Sequence, residues 1–181
     1  MIIPGETFDE GEDPRSAPIN QIIDYNYLEN GNIDIKVSYS AIDDMLFEMY
    51  SSEFEYKNDT MIKIKLFNPQ GQLTQYYTYL YDEKGNVSQE EYYYFNQDGT
   101  EAILQSKTIN EYDDMNNPFI VFAVEGTPGI NTNMNNITRQ IITNYYPGEE
   151  SSYTVEYTYE YNDLGYPVKA NNLEYIYGEG E

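Results

Sequence analysis

The chain has 181 residues, of which 32 are Asp or Glu and 9 are Lys or Arg, so its formal net charge is −23. A field of this sign repels phosphate groups, which excludes nucleic acid and anionic lipid surfaces as favourable partners. The absence of cysteine and histidine excludes disulfides, thiolate nucleophiles and the commonest general base and transition-metal ligand. No apolar run approaches the roughly 20 residues that a membrane-spanning helix needs.

The beginning of the chain differs in pattern from the rest. Residues 1–19 combine Pro and Gly with clustered acids and show no hydrophobic periodicity, which predicts a disordered acidic linker or an ordinary frayed terminus. From Asn20 onwards apolar and polar residues alternate, as they do in half-buried strands. We therefore predict one antiparallel β domain over residues 20–178. Within it, residues 41–50 also fit a short helix, which competes with a strand.

A short phrase recurs between the predicted strands: an aromatic residue, Asn or Asp, two variable residues, and Gly. It occurs at 67–71, 81–85, 95–99 and 161–165. Asn or Asp favours the first corner of a type I turn, and Gly accepts the positive φ that follows. Each phrase therefore predicts a hairpin turn that ends in a bulge glycine.

One bulge at each turn predicts that the parity of residue numbers stays constant across successive hairpins. The even residues then form an apolar face, the predicted core: Ile62, Ile64, Leu66, Tyr76, Leu80, Tyr92, Tyr94, Ala102 and Leu104. The odd residues form a second face that is rich in Tyr, amides and charges: Lys63, Lys65, Gln75, Tyr77, Tyr79, Gln89, Glu91, Tyr93, Gln105 and Lys107.

The repeat breaks down after Tyr112. The apolar run 118–124 fits either a buried strand or one or two helical turns. Residues 126–136 form the longest predicted loop, a common place for function, and further strands are predicted at 137–145, 153–161 and 166–177. The whole pattern predicts an all-β fold, an antiparallel β-meander of about nine to eleven strands curling into a barrel or half-barrel. A flat sheet of that width would expose two long edges.

The string Tyr-Asn-Asp-Leu-Gly-Tyr-Pro-Val-Lys at 161–169, with residues 79–89 and 116–119, resembles a family of uncharacterised secreted proteins of gut Bacteroidetes. Members of that family are often lipid-anchored and have a porin-like fold, and the turns are loosely similar to the YD repeats of Rhs-type shells. The resemblance implies export to the periplasm or cell surface and a lipid anchor in the precursor. The sequence shows no signal peptide or anchor Cys, so we hypothesise that Met1 replaces a removed leader.

The carboxylates do not indicate a catalytic or metal site. Glu90 and Glu91 are adjacent, and adjacent residues of a strand point to opposite faces, so they cannot form the carboxylate pair of a glycosidase. The Asp and Asn spacing of an EF-hand loop is absent, and no phosphate-binding glycine motif links a strand to a helix. We therefore expect no enzymatic activity, no metal and no cofactor.

The Tyr-rich odd face is the predicted functional surface, because Tyr rings stack on sugars or peptides while amides and carboxylates orient them. The predicted ligand-binding residues are Tyr77, Tyr79, Tyr93, Gln75, Gln89 and Glu91. The same side chains would otherwise cover a second layer or a barrel interior. We predict an exported, non-enzymatic binding module for a glycan, peptide or small amphiphile. The alternative is a structural or assembly protein that pairs a sheet edge with an envelope protein partner.

Overall fold

The structure is a computed structural model, and it describes residues 21–42, 45–96, 98–122, 128–129 and 131–178. The predicted linker at 1–19 lies outside these residues, as do parts of the predicted stretches 41–50, 118–124 and 126–136.

The described part of the chain is all-β apart from one 3₁₀ turn at Pro118–Phe122. The strands of the larger sheet are β1 (Gln21–Tyr27), β2 (Ile33–Ile42), β3 (Met45–Lys57), β4 (Thr60–Phe67), β5 (Leu73–Tyr81), β6 (Val87–Phe95), β7 (Ala102–Tyr112), β8 (Ile137–Tyr146) and β9 (Glu149–Glu156). The strands of the smaller sheet are β10 (Tyr159–Tyr161), β11 (Pro167–Ala170) and β12 (Leu173–Glu174). The predicted antiparallel all-β meander is confirmed.

Strand order follows chain order in both sheets. β1 to β9 form one nine-stranded sheet, and β10 to β12 form a separate three-stranded sheet. β1 and β9 stand at the two ends of the larger sheet and are not paired with each other in the described part of the chain. The sheet is therefore not closed into a barrel, because the chain leaves it after β9 and begins a second sheet.

Two compact units make up the chain. The first comprises Met1–Tyr76 and Phe95–Ala102, and the second comprises Tyr77–Tyr94 and Ile103–Glu181. Buried side chains of the first unit include Ile33, Phe54, Met61 and Ile64. Phe54 pairs directly with Ile64 across β3 and β4, so these apolar residues share one face of the sheet.

The predicted glycine turns are confirmed. The φ angles of Gly71, Gly85, Gly99 and Gly165 are 73°, 88°, 65° and 76°. In each turn the glycine N–H donates a hydrogen bond to the carbonyl of the Asn or Asp that opens it. Any residue with a Cβ would be strained in this conformation.

The predicted constant-parity register is wrong, because the Lys63 ammonium and the Tyr76 ring, predicted on opposite faces, are in contact. Two other hairpins have a second bulge after the glycine bulge. In the β10–β11 hairpin Tyr161 pairs with Pro167, but Glu160 pairs with Lys169, which leaves Val168 as an extra residue. The β1–β2 hairpin shows the same shift. One extra residue moves every later side chain to the other face of the sheet.

Side-chain contacts of the first unit show this reversal. The Lys63 Nζ lies 4.2 Å from the centroid of the Tyr76 ring, although the predicted register placed these residues on opposite faces. The Tyr76 and Phe95 ring centroids are 6.2 Å apart, and the predicted register separated them too.

Two of the predicted strands are each divided into two shorter strands. The predicted strand 153–161 is divided between β9 and β10, and the predicted strand 166–177 is divided between β11 and β12. Asn171, at a φ of 49°, accepts hydrogen bonds at Oδ1 from the Thr158 backbone N at 2.9 Å and from Thr158 Oγ1 at 3.1 Å. Asn tolerates this left-handed conformation better than most residues, so a single side chain stabilises both breaks.

The two open alternatives of the sequence are also resolved over the described residues. Residues 45–50 belong to β3 and are strand rather than helix. The apolar run begins as the 3₁₀ turn Pro118–Phe122 and not as a buried strand.

Candidate functional site

The structure divides the predicted ligand-binding residues between two faces. The rings of Tyr77 and Tyr92 stack with centroids 4.8 Å apart and an interplanar angle of 20°. Because side chains alternate along β6, Tyr93 and Glu91 point away from this stack. Gln89 is two residues from Glu91 and shares its face, whereas Tyr79 shares the face of Tyr77. Gln75 belongs to the first compact unit.

Glu91 is the centre of a hydrogen-bonded surface cluster. Its Oε1 accepts from Gln89 Nε2 at 3.1 Å, and its Oε2 accepts from the Tyr93 hydroxyl at 2.8 Å. Lys107 Nζ lies 3.7 Å from Oε1. Both oxygens and the charge of Glu91 are therefore already engaged by neighbouring side chains.

The second unit contains a cavity of about 630 Å³, here named the amide-lined cavity. This volume lies within the roughly 300–1,000 Å³ of typical small-molecule sites. The larger sheet contributes Glu90, Thr108, Asn110, Ile137, Gln140 and Ile142 to its lining. The β7–β8 connection and the smaller sheet with its flanking residues contribute Asn117, Phe119, Asn133, Tyr157, Tyr159, Asn171, Leu173 and Tyr175, among others.

A directed series of hydrogen bonds orients the amides of the cavity. The Tyr157 hydroxyl donates to Gln140 Oε1 at 3.0 Å. Gln140 Nε2 donates to Asn110 Oδ1 at 2.9 Å, and Asn110 Nδ2 donates to the Val87 carbonyl at 2.9 Å. Each amide nitrogen has two hydrogens, so Gln140 keeps one donor that no described residue uses, whereas the Asn110 side chain also hydrogen-bonds Tyr112.

The β7–β8 connection is held to the sheet by buried Asn side chains. Asn133 Oδ1 accepts from the backbone N of the buried Val87 at 2.9 Å. Asn117 Nδ2 donates to the Asn133 carbonyl at 2.7 Å. Asn86 Oδ1 accepts from the Asn135 backbone N at 3.0 Å. These bonds fix the wall of the cavity without any regular secondary structure.

Asn133 also has a polar atom without a satisfied partner. The side chain is 1% exposed, and its Nδ2 makes no hydrogen bond of normal geometry with any described residue. It lies close enough to Tyr112 to oppose, together with Asn110, the rise in the pKa of that phenol that burial causes. Buried donors of this kind are uncommon in folded proteins.

Tyr159, which lines the cavity, and the nearby Tyr161 are neutral hydrogen-bond donors at physiological pH. Burial raises the pKa of Tyr159 to about 12, and its hydroxyl donates to the Ile137 carbonyl at 2.9 Å. Burial, and then the hydrogen bond that its hydroxyl donates to Asp113, raise the pKa of Tyr161. Asp113 Oδ1 also accepts from the Asn136 backbone N at 3.1 Å.

The charge of the cavity comes from Glu90, whose pKa is raised by burial. No Lys or Arg is among the residues that line the cavity. No three Asp or Glu side chains converge as metal ligands within the described residues. The cavity therefore suits a neutral or cationic organic molecule better than an anion.

No helix in the described part of the chain has the length and apolar character to cross a membrane.

Sequence reasoning missed most of the cavity. The loop at 126–136 is the segment that the sequence predicts as a common place for function, and three of its residues line the cavity: Asn133, Asn135 and Asn136. Glu90 was considered only as half of a carboxylate pair. The unusual density of Asn around residues 131–136 was the available signal.

Comparison with known proteins shows similarity at the level of fold. No family model matches the chain, and no curated protein matches it. A protein of unknown function from Bacteroides fragilis matches with a TM-score of 0.53 and 12% identity over 75% of this chain and 91% of that one.

Two further solved structures have lower TM-scores. A DUF3836 family protein from Bacteroides vulgatus matches with a TM-score of 0.41 and 19% identity over 47% of this chain and 90% of that one. A porin-like protein from Bacteroides uniformis matches with a TM-score of 0.31 and 16% identity over 81% of this chain and 80% of that one. The chain thus shares its fold with a structure from a Bacteroides species, the B. fragilis protein.

Proposed function

We propose that this protein is a non-enzymatic binding module that holds a small organic ligand in the amide-lined cavity. The observation that carries the proposal is the hydrogen-bond series from Tyr157 through Gln140 to Asn110, which orients the polar groups of the cavity in advance. Groups that are already oriented lose less conformational freedom on binding, so more of their interaction energy appears as affinity.

The lining favours the ligand classes predicted from the sequence: a glycan, a peptide or a small amphiphile. The rings of Phe119, Tyr159 and Tyr175 offer surfaces for an apolar body or a sugar face. The free donor of Gln140 suits a hydroxyl or carbonyl oxygen. Phosphorylated or carboxylated ligands are disfavoured, because no cation lines the cavity.

In this proposal, Tyr79 of the predicted Tyr-rich face has a structural role and does not contact the ligand. Tyr79 is 4% exposed, and Glu90 contributes to raising its pKa after burial, so it supports the sheet beside the cavity. A binding role for Gln89, Glu91 and Tyr93, which lie on the opposite face, stays a prediction.

An NMR titration of the ¹⁵N-labelled protein tests the proposal, because Asn and Gln side-chain amides give separate signals. A panel of glycans and short peptides should contain a ligand that shifts the signals of Asn110 and Gln140. The Gln140→Met substitution breaks the hydrogen-bond series, so we expect binding to weaken about tenfold, equivalent to one hydrogen bond. Gln89→Met, on the opposite face, is the matched control. A panel that leaves these amide signals unmoved would count against the proposal.

The alternative function, a structural or assembly role in the cell envelope, is favoured by one feature of β3. Pairing between β3 and β4 begins at Ser51, which lies opposite Phe67, so residues 45–50 of β3 have no partner in β4. Met45, Leu46, Phe47 and Met49 on this extension are between 46% and 57% exposed. An exposed apolar strand edge is a template for pairing with another chain.

The edge-pairing alternative predicts a partner that depends on this extension. Pull-down from an envelope fraction should recover a protein with the wild type and lose it with Phe47→Pro, which interrupts strand pairing. A Pro placed in the already exposed turn at Glu83 serves as control. Recovery of the same proteins with both variants would exclude edge pairing at β3.

Export and lipid anchoring in the precursor are part of the proposal, and they rest on the motif resemblance of 161–169. Cell fractionation followed by mass spectrometry of the mature N-terminus tests them. A cytoplasmic protein without a lipid modification would refute both. The similarity of the turns to YD repeats also stays a prediction.

A further inference from the structure

We propose that the ligand of the amide-lined cavity carries a protonated amine, for which Glu90 supplies the counter-charge. This inference rests on the proposed function and names the chemical class of its ligand.

Glu90 is a carboxylate without a partner. No described residue donates a hydrogen bond to it or forms an ion pair with it. The basic residues of the second unit each lie beside a different carboxylate: Lys84 beside Asp114, Lys107 beside Glu91, Arg139 beside Glu111, and Lys169 beside Glu160. The unit thus has no cation left for the one carboxylate that lines its cavity.

The adjacent residue, Glu91, is a carboxylate whose partners all come from the chain itself. Glu91 faces the other side of β6, where Gln89, Tyr93 and Lys107 satisfy both of its oxygens. Glu90 faces the cavity, and burial raises its pKa. Buried charges are normally paired or hydrogen-bonded, because removal from water is costly. An unpaired one at the wall of a cavity, with no partner among the described residues, fits a partner that a bound ligand supplies.

The rest of the lining matches an organic cation. The rings of Tyr157, Tyr159 and Tyr175 line the same cavity, and the negative faces of aromatic rings attract ammonium groups. Ile137, Ile142 and Leu173 offer apolar contact to the body of the ligand. A divalent metal is a poorer match, since it would need several oxygen ligands and one carboxylate supplies too few.

Two matched pairs of probes separate the charge from the body of the ligand. Tyramine and tyrosol differ in having an ammonium or a hydroxyl group on the same phenol, and hexylamine and hexan-1-ol differ likewise on an alkyl chain. Each is titrated at pH 7 into the ¹⁵N-labelled full chain, and the side-chain amide signals of Asn110, Gln140 and Asn171 are followed. The proteins are the wild type, Glu90→Gln and the control Glu91→Gln.

We expect the amines to shift the cavity signals of the wild type and to bind at least about tenfold more tightly than their alcohols, as for a charge-assisted hydrogen bond. Glu90→Gln should remove this preference, and Glu91→Gln should retain it. A circular dichroism melt of each variant confirms that it is folded.

Two results would overturn the inference. If the alcohols bind as tightly as the amines, or if Glu90→Gln binds the amines normally, the cavity binds ligands without using this charge, and the proposed function stands while the amine inference fails. If neither amine shifts the cavity signals at millimolar concentration, the inference also fails. The proposed function is then judged independently by the glycan and peptide panel.

Discussion

Glu90 and Glu91 are adjacent in β6 and have the same side chain, but they differ in their interaction partners. Glu91 has a cation and two hydrogen-bond donors, whereas Glu90 has none among the described residues and lines a cavity. A group that is kept at a cost in stability is characteristic of a functional site, where strain and unpaired charge are retained for binding.

The Glu90→Gln substitution should therefore stabilise the protein at neutral pH. Burial raises the folded-state pKa of Glu90, so the folded protein holds a proton at a pH where the unfolded chain has already lost it. Wild-type stability then falls relative to the variant as the pH rises from about 4.3, the unfolded value, through the higher folded pKa. Below about 4 both forms are protonated and the difference should vanish.

Urea unfolding of the wild type and Glu90→Gln between pH 3 and pH 8 measures this difference. Glu91→Gln is the control, and it should be neutral or destabilising, because it removes the ion pair with Lys107. A Glu90→Gln variant that is less stable than the wild type at pH 7 would show that Glu90 has a stabilising partner.

Asp82 illustrates the opposite case, a carboxylate stabilised by its turn. Its Oδ1 accepts from the backbone N of Lys84 and of Asn86, both at 2.9 Å, and its Oδ2 accepts from Asn86 Nδ2 at 2.9 Å. Burial acts to raise its pKa, but these hydrogen bonds outweigh burial and lower it.

We expect Asp82→Ala to reduce the free energy of unfolding at pH 7 by about 1.5–3 kcal/mol, the range for hydrogen bonds to a charged group. Because the folded pKa is lowered, the stability due to Asp82 is present above the unfolded value of about 3.9. It is lost as the pH falls through the folded pKa. Chemical denaturation at pH 7 and pH 2.5 checks this, with exposed Glu83→Ala as control. An equal deficit at both pH values would mean that the charge is irrelevant.

At the scale of elements, the turns could be predicted from sequence and the register could not. A positive φ strongly favours Gly, so the phrase identifies the turn directly. The second bulge has no comparable signal. Its extra residue is Asp34 in the β1–β2 hairpin and Val168 in the β10–β11 hairpin, and these two side chains have nothing in common.

Because the predicted register was wrong, the sequence pattern assigned some residues to the wrong face of the sheet. Leu80 was predicted as core and is 58% exposed, whereas Tyr79 was predicted on the other face and is buried. The cavity itself depends on where the chain leaves the larger sheet, near Tyr157. Alternation continues from Tyr153 to Tyr161 in the sequence, so nothing in the periodicity marks that departure. The hydrogen bond between Thr158 and Asn171 at that point joins residues 13 positions apart.

The connection between β7 and β8 should depend on Asn133. In Asn133→Ala the buried Val87 N–H loses its acceptor, and a buried unsatisfied donor costs about 1–3 kcal/mol. Hydrogen exchange at the Val87 amide should also become faster, since this amide would open locally. Urea unfolding and NMR-detected exchange measure the two effects.

Asn172→Ala provides the matched control, because Asn172 lines the same cavity but is exposed. It should change stability by less than about 0.5 kcal/mol, as for ordinary surface substitutions. Equal losses in the two variants would show that the Asn133 contact does not hold the connection in place.

At the scale of the whole molecule, the net charge of −23 acts on every surface group together. Ion pairs such as Lys84 with Asp114 and Lys169 with Glu160 are exposed, and exposed pairs typically contribute about 0–1 kcal/mol each. The 32 acidic residues repel one another, and only 9 basic residues offset this repulsion. The free-energy cost of the repulsion should exceed the stabilisation that these ion pairs provide. The folded state, which concentrates the charge, is then destabilised at low ionic strength.

We therefore expect the melting temperature at pH 7 to rise by a few degrees between about 0.01 M and 0.1 M NaCl, over which the Debye length falls from about 30 Å to about 10 Å. The double variant Glu149→Gln and Glu150→Gln, at the exposed start of β9, should be more stable at low salt and respond less to added salt. Calorimetry of both proteins measures this, with sucrose as an uncharged solute control. A melting temperature that falls with salt would mean that specific ion pairs outweigh the general repulsion.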